Sequence, residues 1–176
     1  CLLESEDGEY IYIGGEGFLC RYSPLDGTFE RVVNDGSYNF KCLANGRDGH
    51  LLAGTSDGLF DIKGNAVRHY RHDSNKEQRL ADNEIWCVYE DSGENIWVGH
   101  ERGFSVASNS ESIRTVKISS MTRSGDGNDI YIIHRDRKGN LWLGGSNGMI
   151  RRGRGGETEW YRHTVSPHSL SHNRVR

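Results

Sequence analysis

Proline is nearly missing from this chain: two residues in 176, against 23 glycines. A Pro-rich linker is excluded, and chain reversals fall to glycine-led turns. Long apolar runs are missing as well. No stretch approaches the roughly 18 residues that a membrane-spanning helix needs, and no secretory leader is visible. An excess of charge of one sign is missing, with 22 basic against 25 acidic residues and a formal net charge of −3, so nothing points to nucleic acid as a partner. The local cluster of Arg151, Arg152 and Arg154, with Arg162, Arg174 and Arg176 beyond it, reads as a solvated turn and edge strand rather than a phosphate-binding patch. The four cysteines lack CxxC spacing, and cysteine usage leaves the compartment open. No window holds a 3.6-residue apolar period, which predicts almost no helix.

What the chain has is repetition. "ENIWVGHERGF" (94–104) and "GNLWLGGSNGM" (139–149) match as apolar-Trp-apolar-Gly, three residues, then Gly and a large apolar residue. Trp97 and Trp142 are 45 positions apart, as are Gly99 and Gly144, and Gly103 and Gly148. Gly54 and Gly58 lie 45 positions earlier again, while Gly14 and Gly17 mark a shortened first copy. A second landmark keeps the same interval: Phe40, Ile85, Ile130 and Val175. Such a period is the signature of a repeat architecture.

Within one copy the pattern is four short apolar runs separated by Gly, Asn, Asp and Ser: "NEIWCVYE" (83–90), "NIWVG" (95–99), "GFSVA" (103–107) and "SIRTVKI" (112–118). Four strands per 45 residues predicts an all-β chain, a β-propeller of four four-stranded antiparallel blades. The blades fall at about 1–36, 37–81, 82–126 and 127–172, with 173–176 starting a further inner strand. Inner strands such as "IWCVY" are apolar on both faces, as burial between two blades requires. The second glycine of the motif is expected to start the third strand with positive φ, in a tight hairpin. Trp97 and Trp142 are expected to be buried between blades, with Leu52 and Tyr12 in the same slot. Cys42, Cys87 and Ile132 are expected to be core residues at one inner-strand position.

The motifs separate this chain from other propeller repeats. None of its four tryptophans is followed by Asp, and Asp91 and Asp136 precede Trp97 and Trp142 by six residues, not the four of a sialidase-type Asp box. The stretches "NEIWCVYEDSGENIWVGHERGF" (83–104) and "NDIYIIHRDRKGNLWLGGSNGM" (128–149) resemble the two-component regulator propeller repeat. The linking segments "HYRHDSNKEQRLADNEI" (69–85) and "WYRHTVSPHSLSHNRV" (160–175) resemble it too. The copies depart from the pattern where Leu52 replaces Trp and Tyr38 replaces Asn.

That resemblance implies a seven-bladed propeller in the extracytoplasmic, periplasmic part of a hybrid two-component sensor histidine kinase, sensing oligosaccharides. A non-catalytic sensor segment is the reading it favours; a protein-interaction scaffold and a carbohydrate-active enzyme are the rivals. No cofactor, metal, nucleic-acid or membrane contact is expected of this segment. "HSLSH" sets His168 and His172 four apart in a loop, without a helix to aim both at one metal.

Ligand-binding candidates follow from positions that vary while their neighbours hold the pattern. Asn39, Glu84, Asp129 and Arg174 are 45 apart, polar, and near the start of each inner strand, where a channel mouth would be. Trp86 and Tyr131 are candidate aromatic plates, although packing between blades would explain them equally. Arg102 is a candidate in a hairpin turn. Asn83, Asn128 and Asn173 read as Asx turns before the strand. The ends, "NRVR" (173–176) and "CLLE" (1–4), together match one inner strand. The expectation is a segment of a longer propeller, covered by the remaining blades of its parent chain or by another copy of itself.

Overall fold

The computed structural model of the chain describes residues 1–72, 80–108, 113–117 and 129–176, and of 113–117 the strand alone. Among them are four four-stranded antiparallel sheets in simple order along the chain. The first sheet holds β1 (Leu2–Glu4), β2 (Ile11–Gly15), β3 (Phe18–Ser23) and β4 (Thr28–Val33). The second holds β5 (Phe40–Asn45), β6 (Leu51–Thr55), β7 (Gly58–Lys63) and β8 (Ala66–Tyr70). The third holds β9 (Ile85–Glu90), β10 (Ile96–His100), β11 (Gly103–Ala107) and β12 (Ile113–Lys117). The fourth holds β13 (Ile130–Arg135), β14 (Leu141–Gly145), β15 (Gly148–Arg152) and β16 (Thr158–Tyr161). The only helical turn among the described residues is the 3-10 turn Arg47–Gly49. The first strands of successive sheets pack against one another, which makes them the inner strands of a propeller arc.

Three apolar clusters hold the arc, one between each pair of neighbouring sheets. Between the second and third lie Leu52, Leu59, Ile85, Val88 and Val98. Between the third and fourth lie Cys87, Phe104, Ile130, Leu143 and Ile150. Leu19, Phe40, Ala53 and Phe60 join the first to the second. Fully burying a Leu, Ile or Phe contributes about 1.5–3 kcal/mol, so these seams supply most of the cohesion between sheets.

The two sequence landmarks meet at these seams. A Cβ on Gly14 would lie 2.8 Å from Phe40, one on Gly54 2.6 Å from Ile85, one on Gly99 2.8 Å from Ile130, and one on Gly144 2.7 Å from Val175. Each second-strand glycine is therefore the hole into which the next inner strand presses its large apolar residue. The third-strand glycines have a separate reason: Gly58, Gly103 and Gly148 sit at φ +108°, +118° and +103°, where L side chains are strained.

Several expectations need correction. Gly17 does not start the third strand. It occupies the turn, and Phe18 pairs with Gly15 where the other copies pair Gly58 with Thr55 and Gly103 with His100. Trp97 and Trp142 do share a slot with Leu52 and Tyr12, but the two tryptophans are only half-buried whereas Leu52 is buried. The reason is polar: the Trp97 indole N–H donates to Asp91 and that of Trp142 to Asp136, each at 3.0 Å. The same carboxylates accept the backbone N–H of Asn95 and Asn140, so the six-residue Asp-to-Trp spacing is a hairpin clasp. Ile132 is 41% exposed rather than core, because no further sheet among the described residues covers that face of β13. Cys87 is buried and Cys42 half-buried; all four cysteines are free thiols, and burial pushes Cys42 up to about 12.

The first hairpin of each sheet has at least one residue in the left-handed region, and that of the second sheet has two, Asp48 at φ +54° before Gly49. Gly8, Gly49 and Gly139 fill it at φ +74°, +74° and +83°, but the third sheet uses Glu94 at +62°. An L residue there costs about 1 kcal/mol relative to glycine, and the exposed Arg47–Glu94 pair at 3.1 Å offsets little of it. Glu94→Gly is expected to stabilise the chain by about 0.5–1 kcal/mol in denaturant unfolding; a loss of stability would refute the strain.

Candidate ligand-binding site

The candidate residues lie on the inner strands, and local backbone irregularity decides where they point. In β5, Phe40 pairs with Thr55 and Cys42 with Gly54, adjacent partners that leave Lys41 unpaired. The same shift skips Trp86 in β9 and Tyr131 in β13. Each is the extra residue of a β-bulge, a device that re-aims a side chain out of the ladder. Lys41, Trp86, Tyr131 and Arg176 are 45 apart, and the arc brings them into one row.

Along that row the Lys41 ammonium sits 3.8 Å from the centre of the Trp86 ring. Trp86 meets Tyr131 edge-on at 5.6 Å. Arg176 and Arg174 lie 5.2 and 5.5 Å from the Tyr131 ring. Cations within about 6 Å of an aromatic face are attracted to it. Carboxylates flank the row: Glu84 pairs with Lys41, and Asp129 accepts the Tyr131 hydroxyl at 3.0 Å. Burial lowers the Lys41 pKa, and burial, then the Asp129 hydrogen bond, raises that of Tyr131. The Trp86 indole N–H is buried with no hydrogen-bond partner among the described residues, in a row that holds three cations and two carboxylates.

Of the residues expected from sequence, Glu84, Trp86, Asp129, Tyr131 and Arg174 come together here. Asn39 and Arg102 do not join the row. Asn39 is held by backbone, its N–H donating to the Ser56 hydroxyl at 3.2 Å. Arg102 is exposed in the β10–β11 turn, 3.3 Å from Asp82. Sequence reasoning missed Lys41 and Arg176, although the 45-residue ruler laid from Trp86 reaches both.

The linking segments are also built differently from the Asx turns expected. Asn83 accepts the backbone N–H of His72 at 2.6 Å, and the His72 ring bonds the Leu80 carbonyl at 2.7 Å. Asn173, His163 and Leu170 repeat both contacts at 2.6 and 2.7 Å. The asparagines therefore fasten the far end of each link, and "Tyr-x-His" (70–72 and 161–163) paired with "Leu-x-x-Asn" (80–83 and 170–173) is the signal that could have shown it. Asn128 and the 119–127 link lie outside the described residues.

Sheets in one arc, inner strands at the centre and polar hairpins at the rims define the class: a β-propeller arrangement of four blades. Its repeats are two-component regulator propeller repeats, whose family model matches residues 79–102 and 124–147. The chain is 37% identical, over 99% of its length, to the extracellular domain of BT4673 from B. thetaiotaomicron, described as a hybrid two component system, with a TM-score of 0.58. It spans 24% of that relative's length. The corresponding domain of BT3049 from the same organism superposes with a TM-score of 0.77 at 19% identity, covering 99% of this chain and 23% of that one. A streptogramin B lyase superposes with a TM-score of 0.70 at 13% identity, covering 96% and 55%. Both of these speak for the fold alone. No curated protein matches the chain. No helix among the described residues is long and apolar enough to cross a membrane.

Proposed function

We propose that this chain is a non-catalytic, ligand-sensing propeller segment of a hybrid two-component sensor, outside the cytoplasm, and that it recognises an oligosaccharide at the inner-strand row. The observation that carries the reading is that row: three bulged residues and Arg176 form a continuous cation–aromatic strip flanked by Glu84, Asp129 and Arg174. A sugar offers an apolar ring face to an aromatic plate and hydroxyls to charged groups on either side. Likeness to the extracellular domain of BT4673 supports a sensory rather than an enzymatic setting.

The remaining blades of the parent chain are the proposed partners. Leu2 is 72% exposed and Ile132 41% exposed, on sheet faces whose counterparts between neighbouring sheets are buried. A following blade would cover Ile132, and a preceding one Leu2.

The test is a glycan array on the whole extracellular domain, followed by calorimetry on the ligands that bind. Trp86→Ala is expected to weaken binding at least ten-fold, about 1.4 kcal/mol. Unchanged affinity in that variant would remove the row from the site. Turnover of a bound glycan would favour an enzyme, and no glycan binding a protein-interaction scaffold.

A further inference from the structure

A second site lies at the opposite end of the inner strands. A cleft of about 350 Å³ opens between the first hairpins of the first and second sheets, lined by Ser5, Asp7, Tyr12, Asn45 and His50 among others. Its volume falls within the about 300–1,000 Å³ range of small-molecule sites. The repeat explains why it is open. In the third and fourth sheets this place is closed by the clasps Asp91–Asn95–Trp97 and Asp136–Asn140–Trp142. The second sheet has Gly46, His50 and Leu52 at those positions, and the first has Ser5, Tyr10 and Tyr12. Neither hairpin beside the cleft therefore has the carboxylate–indole bond, although the Ser5 hydroxyl still accepts the Tyr10 backbone N–H at 2.9 Å, and of the replacing residues Ser5, Tyr12, Gly46 and His50 line the cleft.

The lining tells what would fit. His50 points its Nδ1 at the Asp61 carboxylate, 2.6 Å away and buried, which makes Nδ1 the protonated nitrogen of the neutral ring and leaves Nε2 as an acceptor. Asn45 gives one amide N–H to the Glu4 carbonyl at 2.9 Å, which leaves its oxygen and its second N–H. The Asp7 carboxylate, already lowered by the Ser5 hydroxyl, adds further acceptors. No lysine or arginine lines the cleft. Arg47, within the same loop, is drawn to the third sheet by Glu90, Glu94 and the Ser92 carbonyl. Such a wall is rich in acceptors and has one phenol ring, Tyr12, which Arg21 contacts; its two carboxylates, Glu6 and Asp7, disfavour anions.

We infer that this cleft binds an uncharged, hydroxyl-rich molecule of single-ring size, independently of the cation–aromatic row. The probes are glucose, galactose, myo-inositol and glucuronate, each titrated into the full chain by calorimetry, with circular dichroism confirming the fold of every variant. At least one neutral probe is expected to bind, and glucuronate at least ten-fold more weakly. His50→Ala and Tyr12→Phe are expected to reduce neutral binding at least ten-fold and five-fold, while Trp86→Ala leaves it unchanged. Binding lost in Trp86→Ala but kept in folded His50→Ala would overturn the assignment. So would preference for glucuronate, or no binding by any of the three neutral probes. Failure of the row alone would show as the reverse: neutral binding intact and glycan-array binding absent.

Discussion

Gly99→Ala is expected to destabilise the chain by about 3 kcal/mol or more, a far larger effect than one methyl group has on a surface strand. The new Cβ would collide with the Cys87 sulfur and stand 2.7 Å from the Ile130 carbonyl oxygen. The sulfur belongs to the same sheet and the carbonyl to the next, so relief needs the two sheets to part. Overpacking a closed core costs about 1–3 kcal/mol and occasionally more, and here the obstacle includes backbone. The seam it would open holds Phe104, Ile130 and Leu143, each at 0% exposure. Gly36→Ala is the control: nothing lies within 4 Å of its Cβ, and its unfolding midpoint should barely move. Equal shifts in the two variants would show that the glycine hole does not govern packing between sheets.

The second large effect is a loss of stability below neutral pH, traced to one histidine. His100 is buried at 0% exposure. Its Nδ1 accepts the Arg102 backbone N–H at 3.2 Å, and its Nε2 bonds the Ser105 hydroxyl at 3.0 Å. Burial, working against the nearby Asp82, holds its pKa down to about 4. Unfolded, the ring titrates near 6.5, so the unfolded chain binds the extra proton and stability falls as pH drops from about 6.5 toward 4. The full loss is about 3 kcal/mol, of which about 2 should appear between pH 7 and pH 5. Thr55 holds the equivalent position, accepting the Asp57 N–H and donating to the Gly58 carbonyl. His100→Thr should therefore keep the turn and flatten most of this dependence. His69, lowered by its burial and stacked on Phe60 at 4.0 Å, leaves a smaller slope of the same sign. Below about pH 4 the clasp carboxylates take over in both proteins: Asp136 is lowered by the Trp142 indole, so its contribution is present above the usual carboxylate range and lost as pH falls through it. A wild-type curve no steeper than that of His100→Thr between pH 7 and pH 5 would overturn the assignment.

The first effect arises from an arrangement in which each sheet is completed by the next. Phe40, Ile85 and Ile130 are large where Gly14, Gly54 and Gly99 are small, and the pairs meet only across a seam. The proposed ligand row depends on the same succession, since Lys41, Trp86 and Tyr131 belong to three different sheets.

The sequence alone determined the period, the four strands in each copy, the two landmark positions and the family of repeat, because each is written as residue type at fixed spacing; that the landmark glycines and large apolar residues meet was decided by the seams. It also placed Glu84, Trp86, Asp129, Tyr131 and Arg174 near one another, since positions 45 apart fall on corresponding parts of neighbouring blades. The tertiary structure decided the rest. A bulge is a mismatch of count between two strands, and neither "FKC" nor "AGT" states by itself that Lys41 is skipped. That Trp97 and Trp142 stay half-exposed follows from carboxylates six residues earlier, which a hairpin must fold back to reach. The cleft beside His50 lies between two adjacent hairpins that both lack the carboxylate–indole bond, and adjacency across a seam is set by how the sheets stack.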